Sequence, residues 1–146
     1  CMSGTRTTII NNIVEWAKEP ATNDTTCPRS NVGNVFWLYG MPGIGKTSVA
    51  HSICHLLHES KHLGGSFFCR RDDPILAEPN RILPTLIYRL AGMFEPYRKI
   101  VAQTLRDDPH LTPESASGEL LLKALEPLKE HARQPLVLVI DAFDEC

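Results

Sequence analysis

One octapeptide limits what this chain can be more than any other feature. Gly40-Met41-Pro42-Gly43-Ile44-Gly45-Lys46-Thr47 fits the pattern Gly-x-x-x-x-Gly-Lys-[Ser/Thr]. At average residue usage the pattern arises by chance in well under about one in a hundred chains of this length. The flanks agree with it. Val35-Phe36-Trp37-Leu38-Tyr39 is apolar and aromatic without alternation, which predicts a strand covered on both faces. Behind the loop, Val49, Ala50, Ile53, Leu56 and Leu57 recur at helical spacing over residues 47–61, and Gly64-Gly65 marks the predicted end. A strand leading into such a loop and a helix leaving it form the setting in which the loop wraps phosphate.

The chemistry explains the residue types. A nucleoside triphosphate presents several anionic oxygens, which need donors that approach without side chains in the way. Gly40, Gly43 and Gly45 allow backbone conformations closed to other residues, so that successive N–H groups form an anion nest. The helix start adds free N–H groups and the positive end of its dipole. The expected phosphate-binding set is Gly40, Met41, Pro42, Gly43, Ile44, Gly45, Lys46, Thr47 and Ser48. Lys46 supplies a mobile positive charge to the β- and γ-phosphates, and Thr47 a hydroxyl to Mg²⁺.

A second signal completes the metal site. Leu136-Val137-Leu138-Val139-Ile140 is a run of aliphatics ending in Asp141, which predicts a buried strand with an acid at its carboxyl end. Open α/β sheets bind ligands at that end. Asp141 is therefore the expected Mg²⁺ partner with Thr47. Asp144 and Glu145 follow closely enough to orient an attacking water, and with Lys46 they are the candidate catalytic residues. Small Ala142 leaves room beside the metal.

The remaining sequence fills in an α/β pattern. Ile9, Ile10, Ile13, Val14 and Trp16-Ala17 predict a leading helix closed by Pro20, and the polar stretch 19–34 a loop. Ser66-Phe67-Phe68-Cys69 predicts a short strand followed by a charged turn at 70–74. Helices are expected at 80–94, at 96–106 and from Thr112 through Leu125, with Pro127 ending or kinking the last. Strands separated by long helical stretches imply crossovers and a parallel sheet. The 146 residues suffice for one domain and fall short of two ordinary ones.

Bulk properties exclude several classes. A formal net charge of −2 gives no reason to expect nucleic acid as a partner. No run approaches the roughly 18 apolar residues of a membrane span, and no signal peptide is apparent, so a cytoplasmic location is expected. Five cysteines, widely spaced and without a CxxC pair, predict reduced thiols rather than a disulfide framework.

Two motifs together carry a resemblance. Trp37 through Thr47, with Leu136–Ile140 followed by Asp141-Ala142-Phe143-Asp144-Glu145, resembles the NACHT family of STAND signalling NTPases. An Asp followed by a small residue, an apolar residue and two acids is the more discriminating part. The opening Cys1 to Arg6, Trp16 and the Ser66-Phe67-Phe68-Cys69-Arg70 strand resemble NACHT proteins of fungi, including those with a nephrocystin-like N-terminal module. The resemblance implies a three-layer, ASCE-type P-loop NTPase sheet flanked by helices and incomplete at its C-terminal side, truncated after the second motif. Its parts are a leading helix and loop (1–34), the strand, phosphate loop and helix (35–61), a strand and helices (62–134) and the acidic strand end (135–146). In that superfamily a later strand separates the two motif strands, so the central position here is expected to be empty or closed by direct pairing of the two.

The resemblance further implies a Mg-dependent switch that binds ATP or GTP, hydrolyses it at a useful rate only in a complete domain, and meets protein partners or self-oligomerises through domains absent here. The alternatives are a small-molecule P-loop kinase, which would need an acceptor pocket and an Arg-rich lid, and a degenerate pseudo-NTPase.

Weaker signals surround these. His51, His55, His58 and His62 fall one helical turn apart and could chelate zinc, but a solvent-facing polar stripe is the expected reading because no carboxylate or cysteine pair completes a site. Thr5-Arg6 could reach the base or ribose, although a surface Arg is the commoner case. Arg70 and Arg71 stand beside Asp72 and Asp73 and are expected to form a local charge cluster.

Overall fold

The computed structural model describes residues 6–19, 35–108, 118 and 134–146. The expected loop beyond Glu19, and the expected helix from Thr112 apart from Gly118, lie outside them. Helix α1 spans Thr7–Lys18 and buries Ile10, Ile13 and Ala17, a single stripe at 3–4 spacing. Helix α2, Lys46–Glu59, buries Val49, Ala50, Ile53, Cys54 and Leu57. Strand β1, Leu63–Phe68, follows. A 3₁₀ turn at Pro79–Arg81 leads into α3, Ile82–Met93, and then α4, Glu95–Asp107. Strand β2 is Val137–Asp141, followed by a 3₁₀ turn at Phe143–Glu145.

Among the described residues β1 and β2 form one parallel pair, in register from Leu63↔Val137 to Phe68↔Asp141 with an irregularity between Leu63 and Gly65. Parallel pairing requires a crossover, and α3 and α4 lie within it. Helices pack on both faces of the pair, but among the described residues Leu138 and Ile140 of β2 stay exposed, so the strand expected to be buried is covered on one side only. Val137 and Val139 pack with Val49, Ile53 and Leu57 of α2 and the buried stripe of α1. On the opposite face Phe67 and Cys69 cluster with Ile82 and Leu86 of α3. The α/β class and the parallel sheet thus agree with the sequence.

Three expectations need correction. Residues 35–39 form no strand and pair with nothing in the described sheet. Phe36 and Leu38 pack toward α1 and α2, while Trp37 is 76% and Tyr39 90% exposed. An unbroken apolar run is compatible with two covered faces, but only a hydrogen-bonded neighbour makes a strand, and β2 offers its described ladder to β1 alone. The two motif segments are therefore not directly paired.

Second, Gly64-Gly65 does not end α2, which stops at Glu59 with Lys61 in the left-handed region at φ 61°. Both glycines lie inside β1, where α3 approaches closely. A Cβ at Gly64 would stand 3.2 Å from Leu90 Cδ2, and one at Gly65 3.1 Å from Leu86 Cδ2.

Third, the thiols are not all free. Cys69 and Cys146 form a disulfide, their Cα atoms 5.6 Å apart across 77 residues of sequence, while Cys54 is a buried thiol. Spacing rules read only local pairs, and this pair is made by the β1–β2 register.

Leu57, fully buried, joins α1, α2 and β2. Leu57→Ala should cost about 2–5 kcal/mol, measured as the shift in urea unfolding free energy. Between α3 and α4, Tyr97 is also fully buried and its hydroxyl has no hydrogen-bond partner among the described residues. Burial pushes its pKa up to about 12. The folded state thus holds the phenol neutral where the unfolded chain ionises it. The associated stability is intact below the ordinary value near 10 and is lost as pH rises toward about 12. Tyr97→Phe should remove that alkaline loss and change neutral-pH stability by less than about 1 kcal/mol, read from urea melts at pH 8 and pH 11.

Candidate functional site

The loop at 40–47 enters α2 directly. Gly43 has φ 75° and Gly45, the residue preceding α2, φ 88°. Gly40 keeps an ordinary negative-φ conformation, so two of the three loop glycines use the freedom that glycine provides. Ile44 N–H donates to Met41 O at 3.4 Å, closing the turn. Val49 N–H donates back to Gly45 O at 3.1 Å, which leaves the amides of Lys46, Thr47 and Ser48, the first-turn donors of the helix, without a backbone or side-chain cap partner among the described residues. Thr47 and Ser48 are exposed, as are Met41, Pro42, Gly43 and Ile44. Lys46 Nζ donates to Gly40 O at 2.9 Å and Met41 O at 3.2 Å, which holds the ammonium across the mouth of the loop.

Asp141 reaches this neighbourhood through the sheet. Residues paired in register share a face, and Phe68 pairs with Asp141. Phe68 faces α2, where its ring stacks on His51 at 4.1 Å with a 6° interplanar angle. Cys54 supports the same placement. Burial pushes the Cys54 thiol up, a hydrogen bond with Ser66 of β1 offsets part of the rise, and the Asp141 carboxylate adds to it. Cys54 lies two helical turns after Thr47, so the two residues share one face of α2. The half-buried Asp141 therefore stands on the sheet face that carries α2, against the helix face that leads back to Thr47 and the loop.

Beyond Asp141 the chain turns sharply. Ala142 adopts φ 53°, Glu145 N–H donates to Ala142 O at 2.8 Å, and Asp144 and Glu145 are exposed. Small Ala142 accepts this left-handed position more readily than a branched residue would.

A cavity of about 200 Å³ lies between α1, residues 38–39 and the loop, with Ile9, Leu38, Ile44 and Val49 as apolar walls and Arg6 and Lys46 as its cations. Arg6 precedes α1 in the left-handed region, at φ 62°. Its guanidinium leans on the loop, since a Cβ built on Gly45 would stand 2.5 Å from Arg6 Nη1. Arg6 is exposed, as surface arginines are, and at the same time sits against the glycine loop. No spacing rule connects residues so far apart in sequence. Thr5 lies outside the described residues.

The donors suit a hard cation and a polyanion. A hydroxyl and a carboxylate are oxygen ligands of the kind Mg²⁺ takes, and the loop amides and two cations suit phosphate. The histidines only partly form the solvent-facing stripe expected of them: His55 and His58 are exposed on α2, but His51 stacks on Phe68, and His62 lies beyond the helix end with a buried Nδ1 that has no hydrogen-bond partner among the described residues. Among the described residues no group of three or more potential ligands could hold a metal ion. His55 reaches Glu59 at 3.5 Å instead. At the expected charge cluster, Asp73 Oδ1 accepts Ile75 N–H at 2.9 Å and Leu76 N–H at 3.3 Å, so this acid is used in shaping the turn.

A protein-family model described as "Nephrocystin 3, N-terminal" matches residues 12–146, which includes the glycine loop, β1, β2 and the acidic turn. The chain belongs to the nephrocystin 3 N-terminal family. No curated protein and no solved structure matches it. Among the described residues of this nephrocystin 3 N-terminal chain, no helix is long and apolar enough to cross a membrane.

Gly45 is the most demanding position in the site, because its backbone is left-handed and Arg6 fills the space beside it. In urea melts, Gly45→Ala should lose about 1–3 kcal/mol of stability, and Arg6→Ala in that background should recover only the steric part of the loss. Gly40→Ala should cost less, since its Cβ would meet the Ile44 side chain no closer than 3.4 Å.

Proposed function

We propose that this nephrocystin 3 N-terminal chain is the nucleoside-triphosphate-binding portion of a NACHT-type signalling NTPase, built on an ASCE-type P-loop sheet. The observation that carries the reading is that Asp141 and the helix leaving the glycine loop lie on one face of the sheet. Two distant sequence motifs, each expected to hold part of the same ligand, are thereby on one side of the fold.

In this reading the amides of residues 43–48 receive the phosphate oxygens, and Lys46 exchanges its carbonyl contacts at Gly40 and Met41 for the β- and γ-phosphates. Thr47 and Asp141 would hold Mg²⁺, directly or through water. The ion, when bound, neutralises charge on the phosphates and fixes their geometry. Asp144 and Glu145 orient water toward the terminal phosphate. ATP or GTP fits the loop equally, since nothing in it reads a base. The signalling output belongs to protein partners or self-association through other domains, in the cytoplasm, without nucleic acid or membrane.

Isothermal titration with ATP and GTP in Mg²⁺ tests the binding. Lys46→Ala should weaken affinity by at least about tenfold through loss of a charge-assisted contact, with the circular dichroism spectrum unchanged. Asp141→Asn should flatten the Mg²⁺ dependence of that affinity. Unaltered affinity in the Lys46 variant would sink the assignment, and phosphate release that depends on an added acceptor would point to a kinase.

A further inference from the structure

The disulfide lies at the far end of the proposed site. Cys69 directly follows β1, and its N–H donates to Asp141 O at 3.0 Å, which carries the ladder one residue past the strand. Cys146 directly follows the acidic turn at Phe143–Glu145. The segment from Asp141 to Cys146 is therefore fastened at both ends to one residue, by the Cys69 backbone and by the Cys69 sulfur. Asp144 and Glu145 lie between the two fastenings. Both are exposed. Without the covalent link, the contacts that hold the Cys146 side among the described residues are its packing at the edge of the buried cluster of Phe67, Ile82 and Leu86 and a weak approach of Cys146 Sγ to Leu76 O at 3.6 Å. A sulfur contact of that length restrains a turn far less than a covalent bond.

We propose that Cys69 and Cys146 are a redox-responsive pair that pins the acidic turn when oxidised and releases it when reduced. Cys146 is half-buried and Cys69 only 6% exposed, so Cys146 is the sulfur that meets a small reagent first. The oxidant is a low-molecular-weight disulfide of the glutathione class. The Cys146 thiolate attacks one of its sulfurs, a mixed disulfide forms and one glutathione thiolate leaves. The Cys69 thiolate then attacks the Cys146 sulfur and displaces the second. The two protons given up by the cysteines are taken by the two glutathione thiolates, and two electrons pass from the cysteine sulfurs to the reagent. Excess glutathione reverses both steps. Cys54 is buried in the core against Ser66 and takes no part.

The regulatory consequence rests on the nucleotide reading above, but the thiol chemistry does not. Pinning fixes the turn beside Asp141 before ligand arrives, so the oxidised chain should bind MgATP about threefold or more tightly than the reduced chain, because less ordering remains to be done on binding.

The chain should be equilibrated in glutathione buffers from reducing to oxidising, alkylated and mapped by mass spectrometry, and its amide exchange followed at 142–146. Oxidised chain should yield a linked Cys69–Cys146 peptide, and exchange in that segment should slow by about tenfold or more. Cys146→Ser should show the reduced behaviour in every buffer. It serves beside Cys69→Ser, whose core position makes folding less certain. Alkylation of both cysteines in the oxidising buffer, or equal exchange in the two states, overturns the pair. Equal MgATP affinity in the two states, with the link present, overturns its regulatory role. No nucleotide binding in either state overturns the proposed function instead, while mapping and exchange still decide the pair.

Discussion

The burial of one face of α2 is the constraint on which the rest of this fold depends. Val49, Ile53 and Leu57 fasten that helix at once to α1 and to the valines of β2. An isolated helix of this length is marginal in water, so its start, where the loop amides are presented, is held by side-chain packing further along. The loop itself is exposed and contributes little burial. Its geometry is sustained from behind, by the buried core.

The parallel β1–β2 pairing has the corresponding role for the acid. Register places Asp141 opposite Phe68, and alternation then turns it toward α2. A shift of one residue would send Asp141 to the α3 face, where Phe67 and Cys69 pack. The same register brings Cys69 beside the end of the chain segment that carries Asp144 and Glu145. One ladder thus determines both the metal-ligand candidate and the disulfide.

Much of this was legible in the sequence because its signals are local. The stripes of α1, α2 and α3, the aliphatic run of β2 and the glycine loop each follow from residue types a few positions apart. The proposed ligand set was legible for the same reason, since each motif is contiguous. Where the reading went wrong, a non-local partner decided. Residues 35–39 have the composition of a buried strand yet lack a hydrogen-bonded neighbour in the described sheet. Gly64 and Gly65 look like a helix stop, but they make room for Leu86 and Leu90. The cysteines look unpaired until the strands are aligned.

By itself, then, the sequence determined the identity of the groups: which residues offer amides, which an ammonium, which a carboxylate, and which helical stripes must be buried. These depend on chemistry and on the periodicity of the backbone, both of which are written in short stretches of chain. Only the tertiary structure decided which groups meet. The approach of Arg6 to Gly45, the pairing of Asp141 with Phe68 and the union of Cys69 with Cys146 each join residues far apart along the chain. Such meetings are set by strand register and helix packing, which are properties of the whole core.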